Sequence, residues 1–200
     1  MKLKDILNAF NLNYPAKFDI FTSICSEFPE RCHYLDRFPL LISEPEVYSQ
    51  VEVFFDRANN NNLLKEYLVE EAKIKNVIKK MWVYNNPVLV QTSLLENEFD
   101  FLLKVLNSNK KSTTLLKLKT DLCKQDNDLL FEINNISYLD VLLELGLRER
   151  VSSIFIFPIF KTIIWTNDLV MPLYVEDDSH KQLIEKICTV EGVYLRPYKQ

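Results

Sequence analysis

Apolar positions recur with a helical period over roughly residues 1–125, and with a β-branched, strand-like pattern over much of 126–200. Leu3, Ile6, Leu7 and Phe10 stand at i, i+3, i+4 and i+7, which predicts a helix over Leu3–Leu12. Phe18, Phe21, Ile24, Cys25 and Phe28 share a second helical face, which Pro29 ends. Glu30–Ile42 shows neither period and reads as an irregular, solvated connector carrying Arg31, His33, Asp36 and Arg37. Ser43-Glu44-Pro45-Glu46 has the capping serine, early acids and first-turn proline of a helix start. Val47, Val51, Phe54 and Phe55 are its expected inward face. The polar run 59–62 reads as a loop.

The longest amphipathic stretch is Leu63–Trp82, with Leu64, Tyr67, Leu68, Glu71, Ile74, Ile78, Met81 and Trp82 on its inner stripe. Glu66, Glu70 and Glu71 lie in its N-terminal half, and Lys73, Lys75, Lys79 and Lys80 in its C-terminal half, an order that complements the helix dipole. Glu71 and Lys75 have the spacing of an i, i+4 pair. A turn is expected at Tyr84–Pro87. Thr92 or Ser93 then caps a helix with Leu94, Leu95, Phe99, Leu102, Leu103 and Leu106 inward. A polar loop at 107–112 precedes Leu115–Cys123, where Leu116-Lys-Leu-Lys alternates like a strand but the whole favours helix, and Gln125–Asp128 breaks it. Leu129–Ile133 reads as a strand. Ser137 is expected to cap a helix over Tyr138–Leu145, with Gly146 as its left-handed terminator.

The last fifty residues read as strand, strand, strand, helix, strand. Val151–Phe157 is β-branched and aromatic, Pro158 interrupts it, and Ile159–Trp165 follows. After a turn at 166–168, Leu169–Val175 is a third strand, which Pro172 should confine to an edge or a bulge. Glu176-Asp177-Asp178-Ser179 opens a helix over Ser179–Thr189. Gly192 releases a short strand at Val193–Leu195, closed by Pro197. The expected fold class is α+β, with a mainly helical N-terminal part packed on a small, mostly antiparallel C-terminal sheet carrying one helix. One domain over 1–200 is expected, divided into a helical part (1–125) and an α+β part (126–200).

Composition narrows the function. Two glycines in 200 residues leave no phosphate-cradling loop, because Gly146 and Gly192 stand alone, and Walker-type and dinucleotide fingerprints are absent. The net charge of −4 argues against a dedicated nucleic-acid binder. Cys25, Cys32, Cys123 and Cys188 form no paired motif and read as reduced thiols. Cys25 and Cys32 near His33 lack the paired spacing of a structural zinc site, so no metal and no cofactor are expected. The N-terminus lacks a signal-like apolar run and no stretch is long enough to span a bilayer, so the cytoplasm is the expected compartment.

No nucleophile elbow surrounds any serine. Phe155, Phe157, Phe160, Trp165 and Tyr174 read as core rather than as a base-stacking platform. Acids do gather, and they point to a basic protein partner, such as the toxin domain that an immunity or antitoxin protein neutralises. The candidate partner-binding residues are Asp168, Glu176, Asp177, Asp178, Glu66 and Glu70, with no catalytic residue assigned. The competing reading is a hydrolase-like enzyme using the acids near the last hairpin with Lys161 or His180. A weaker one is nucleic-acid regulation through Lys73, Lys75, Lys79 and Lys80.

Overall fold

A computed structural model describes residues 1–12, 20–56, 61–106, 108–126, 129–166 and 168–198. In chain order the elements are α1 (Leu3–Ala9), α2 (Ile20–Glu27), β1 (Cys32–Asp36), α3 (Pro45–Val51), α4 (Asn61–Tyr84), β2 (Val88–Thr92), α5 (Phe99–Leu106) and α6 (Asn109–Cys123). They continue as β3 (Phe131–Ile133), α7 (Ile136–Leu147), β4 (Ser153–Phe157), β5 (Thr162–Trp165), β6 (Met171–Val175), α8 (Asp178–Glu191) and β7 (Tyr194–Pro197). Short 3-10 turns cover Pro29–Arg31 and Leu94–Glu96. The fold class is α+β.

The strands form one sheet in the order β3-β2-β4-β5-β6-β1-β7, and every neighbouring pair is antiparallel. Side chains alternate across it. Leu35, Val88, Val90, Phe155, Phe157, Ile164 and Leu173 face one core, filled by α4, α5, α6, α7 and α8. Cys32, Ile156, Ile163 and Tyr174 face a second core, covered by α1 and α2. Because both faces are buried, the central strands read as near-continuous apolar runs rather than as an alternation of polar and apolar residues.

Two strands come from the stretch expected to be helical or irregular. Glu30–Ile42, read as a connector, contains β1, which lies between β6 and β7 in the sheet. Polar His33 and Asp36 masked it, yet both are buried. β2 follows the expected turn and pairs with both β3 and β4. The closing strand β7 therefore joins β1 and not β6. Strand β6 is interior despite Pro172. Its ladder with β5 ends at Leu173↔Ile164, so Pro172 is paired on one side only, opposite Tyr34 of β1, as at an edge.

Several boundaries also move. The expected 107–112 loop is largely the start of α6, with Asn107 outside the described residues. Helix α8 begins one residue early, because the Asp177 carboxylate accepts from the backbone N–H groups of Ser179 (2.7 Å) and His180 (3.4 Å). Asn135, not Ser137, caps α7. Gly192 does adopt the left-handed conformation, with φ 74°, at the end of α8.

Gly146 is not a terminator. It lies inside α7, where a Cβ would meet Thr166 Cβ and Cγ2, each at 2.6 Å. Close approach of the turn after β5 explains this glycine. Helix α7 is buried on nearly every side, from Leu139 to Leu147, as befits a helix that is apolar all round.

Candidate protein-binding surface

The six candidate acids do not converge. Asp168 occupies the β5–β6 turn in a left-handed conformation, φ 47°. Glu176, Asp177 and Asp178 follow the far end of β6, a five-residue strand of roughly 16 Å. Glu176 pairs with Lys161 at 3.2 Å, and Asp177 is engaged as the α8 cap. Asp178 is exposed in the first turn of α8. Glu66 is exposed on α4, and Glu70 pairs with Lys73 at 2.7 Å. For the enzyme reading, Lys161 is already paired with Glu176 and the His180 ring packs on Phe160 with centroids 5.2 Å apart. Of the six acids, none lines the cavities at α4–α6–α7, at α4–α8 or beside β2.

The four α4 lysines of the nucleic-acid reading are likewise committed. Lys73 reaches Glu70, Lys80 reaches Glu191, and Lys75 and Lys79 converge on Asp140 of α7. The Glu71–Lys75 pair suggested by spacing does not form. Glu71 instead accepts two hydrogen bonds from the Arg148 guanidinium, at 2.7 and 3.0 Å. Lys75 donates to Glu144 at 2.8 Å. Glu144 is 1% exposed and also takes ion pairs from Lys111 and, at 3.0 Å, from Arg148. Burial pushes the Glu144 carboxyl upward, but Lys75, Lys111 and Arg148 outweigh it and hold it below its ordinary range. The Glu71 carboxyl goes the other way, since burial outweighs Arg148. No local sequence signal marks this network, whose members lie on α4, α6 and α7 and at the end of α7.

The site idea around Cys25, Cys32 and His33 dissolves on the sheet. Cys25 and Cys32 are buried together in the α1–α2 core, whereas His33, one residue along β1, points to the opposite face. Among the described residues no group of three potential ligands comes together. No helix of the described residues is long and apolar enough to cross a membrane.

A different surface emerges at the end of the sheet where β1 runs out. Arg196 clamps Asp36 with two contacts of 3.0 Å and lies over the Tyr34 ring, and Asp36 accepts from Phe38 N at 3.0 Å. This anchors the chain where it leaves the sheet. Arg37 then lies 4.6 Å over the Phe38 ring and donates to the Val51 carbonyl, which holds α3 by its C-terminal end. Between these anchors little is buried. Helix α3 has no buried residue, and Leu40 (67%), Leu41 (57%), Val47 (44%) and Val51 (39%) are exposed. The expectation that Val47 and Val51 pack inward is corrected; in the following segment Val53 takes the buried position.

Acids surround this arm. Glu44 and Glu46 lie on it, and Glu149 and Glu52 each stand near enough to Asp168 to interact with it electrostatically. Burial raises the Asp168 carboxyl to about 6, Glu149 and Glu52 add to the rise, and Arg37 and the Leu169 backbone N–H oppose it. Glu149 shares the left-handed backbone conformation of Asp168, with φ 56°. Sequence reasoning found Asp168 from its turn context but missed the arm, because an amphipathic helix and an unpacked one look alike until the tertiary neighbours are known. The chain matches no protein-family model, no curated protein and no solved structure.

Proposed function

We propose that this chain is a non-enzymatic binding protein for a basic protein partner, in the manner of an immunity or antitoxin protein that neutralises a cationic toxin such as a nuclease. The observation that carries the reading is the arm of residues 38–52, whose Leu40, Leu41, Val47 and Val51 side chains are exposed near Asp168. Leaving four aliphatic side chains exposed costs a folded protein the stabilisation that burial would give, about 1.5–3 kcal/mol for each fully buried one. A partner that covers them recovers it. The surrounding carboxylates favour a basic partner and accelerate its encounter, an effect that salt weakens.

The test is a tagged-chain pull-down with wild type, with Leu40→Ser/Val47→Ser, and with Asp168→Asn. The expected result is one stoichiometric basic protein that salt releases, that the double variant fails to retain and that Asp168→Asn holds less well. Retention equal in all three chains, or a partner that is acidic, overturns the reading.

A further inference from the structure

We propose that the cavity between α4, α6 and α7 is a binding site for a small phosphoryl-bearing dianion such as a phosphate monoester. The cavity measures about 280 Å³ and is lined by Lys79, Lys110, Lys111, Thr114, Ser137 and Asp140 among others. That volume suits one compact anionic group rather than a large ligand.

Charge selects the ligand class. The cavity and the network behind it hold four lysines, Lys75, Lys79, Lys110 and Lys111, against two carboxylates, Asp140 and Glu144. Arg148 and Glu71 balance each other through their paired hydrogen bonds. Two positive charges are left over, and a phosphate monoester carries about −1.5 to −2 at pH 7.

Donor geometry agrees. An ammonium has three N–H donors. Lys79 is engaged with Asp140 and Lys111 with Glu144, so each keeps donors for a ligand. Lys110 has no ion-pair partner among the described residues. The side chains of Lys79 and Lys111 are 31% and 32% exposed, so they are shielded on most sides yet reachable from the cavity. Ser137 puts a hydroxyl on the same wall, whereas the single donor of the Thr114 hydroxyl is spent on the Lys110 carbonyl at 3.0 Å. The first turn of α7 adds little of its own, because Asn135 already accepts from Ser137 N. Lysine ammonium groups bind phosphoryl oxygens as point charges.

The experiment follows backbone amides of the full chain by NMR while inorganic phosphate, methyl phosphate or acetate is added, with chloride at matched ionic strength as reference. The expected result is saturable shifts at Thr114 and Ser137 with both phosphates, acetate at least about tenfold weaker, and affinity lowered about tenfold by Lys110→Ala. Ser137→Ala is a second variant, expected to weaken binding, and Lys117→Ala on the exposed face of α6 is expected to leave it unchanged. Chloride reproducing the shifts, no saturable shift, or Lys110→Ala and Ser137→Ala both binding like wild type would each overturn the proposal. Acetate binding as tightly as phosphate would overturn the dianion assignment.

Discussion

Glu144 is where a single substitution should disturb this fold most. Its carboxylate is 1% exposed and is neutralised by Lys75 at 2.8 Å, by Lys111, and by Arg148 at 3.0 Å. Glu144→Gln keeps the size but leaves three cations with less compensation, two of them, Lys75 and Arg148, themselves buried. Removing one partner from a buried ion pair typically costs about 3–5 kcal/mol, because the remaining charge is left desolvated. For a chain of this length that corresponds to a fall of roughly 6–20 °C in Tm. Lys75→Met should be destabilising too, and the double variant should cost less than the sum of the two by about 0.5–3 kcal/mol. Acid sharpens the test. Glu144 and Asp140 titrate below their ordinary range in the folded chain, since the lysines outweigh the effect of burial. Their stabilisation is present above the unfolded values of about 4.3 and 3.9 and is lost as pH falls through the folded values. Glu71, held above its ordinary value by burial, works in the opposite sense and loses stability as pH rises. Urea unfolding followed by circular dichroism should therefore show a large gap between wild type and Glu144→Gln at pH 7 that narrows below about pH 4. A gap under about 1 kcal/mol at pH 7 would mean that water, not Glu144, satisfies these cations.

Two further outcomes follow from single positions. Gly146→Ala should destabilise the chain by about 1–3 kcal/mol despite the better helix propensity of alanine. Thr166 is fixed against the new methyl because its hydroxyl accepts from Ser153 N at 2.9 Å and donates to Ser153 O at 3.2 Å. Adding Thr166→Ala should restore part of the loss in the same urea measurement, and a stabilised Gly146→Ala would show that the approach is not tight. The His33 imidazole, 2% exposed, should titrate near about 4 by NMR, lowered by burial and by Lys181, with a backbone contact at Arg31 and the Asp178 carboxylate opposing. Because the folded value lies below the unfolded one, its contribution to stability is present above about 6.5 and is lost as pH falls towards 4. A His33 titration near 6.5 would refute the burial argument.

Local patterns carried much of the secondary structure. Helices with a clear apolar stripe, such as α1, α4 and α8, need only their own residues and caps to be recognised. The β-branched run before Pro158, the hairpin after it and the left-handed Gly192 were equally local. Together they were enough for the α+β class. What the tertiary structure alone decided were features whose cause lies far away in sequence. Strand β1 looked irregular because His33 and Asp36 are polar, yet Arg196, 160 residues from Asp36, satisfies the carboxylate inside the sheet. Pro172 sits in an interior strand at a position paired on one side only, because the β5 ladder stops at Leu173 while the β1 ladder continues through Tyr34. Gly146 resembled a helix terminator until Thr166 came against it.

The same division holds for function. Composition could suggest a basic partner for an acidic chain and argue against glycine-loop phosphate chemistry, since both inferences depend on residue types alone. It could not say that the acids near β6 separate to two ends of the strand, or that Val47 and Val51 face solvent rather than core. Nor could it say that Lys75 and Lys79 of α4 are drawn into a network with α7 that leaves Lys110 unpaired among the described residues. Periodicity reports which residues share a face. Only the arrangement of the other elements decides what that face meets.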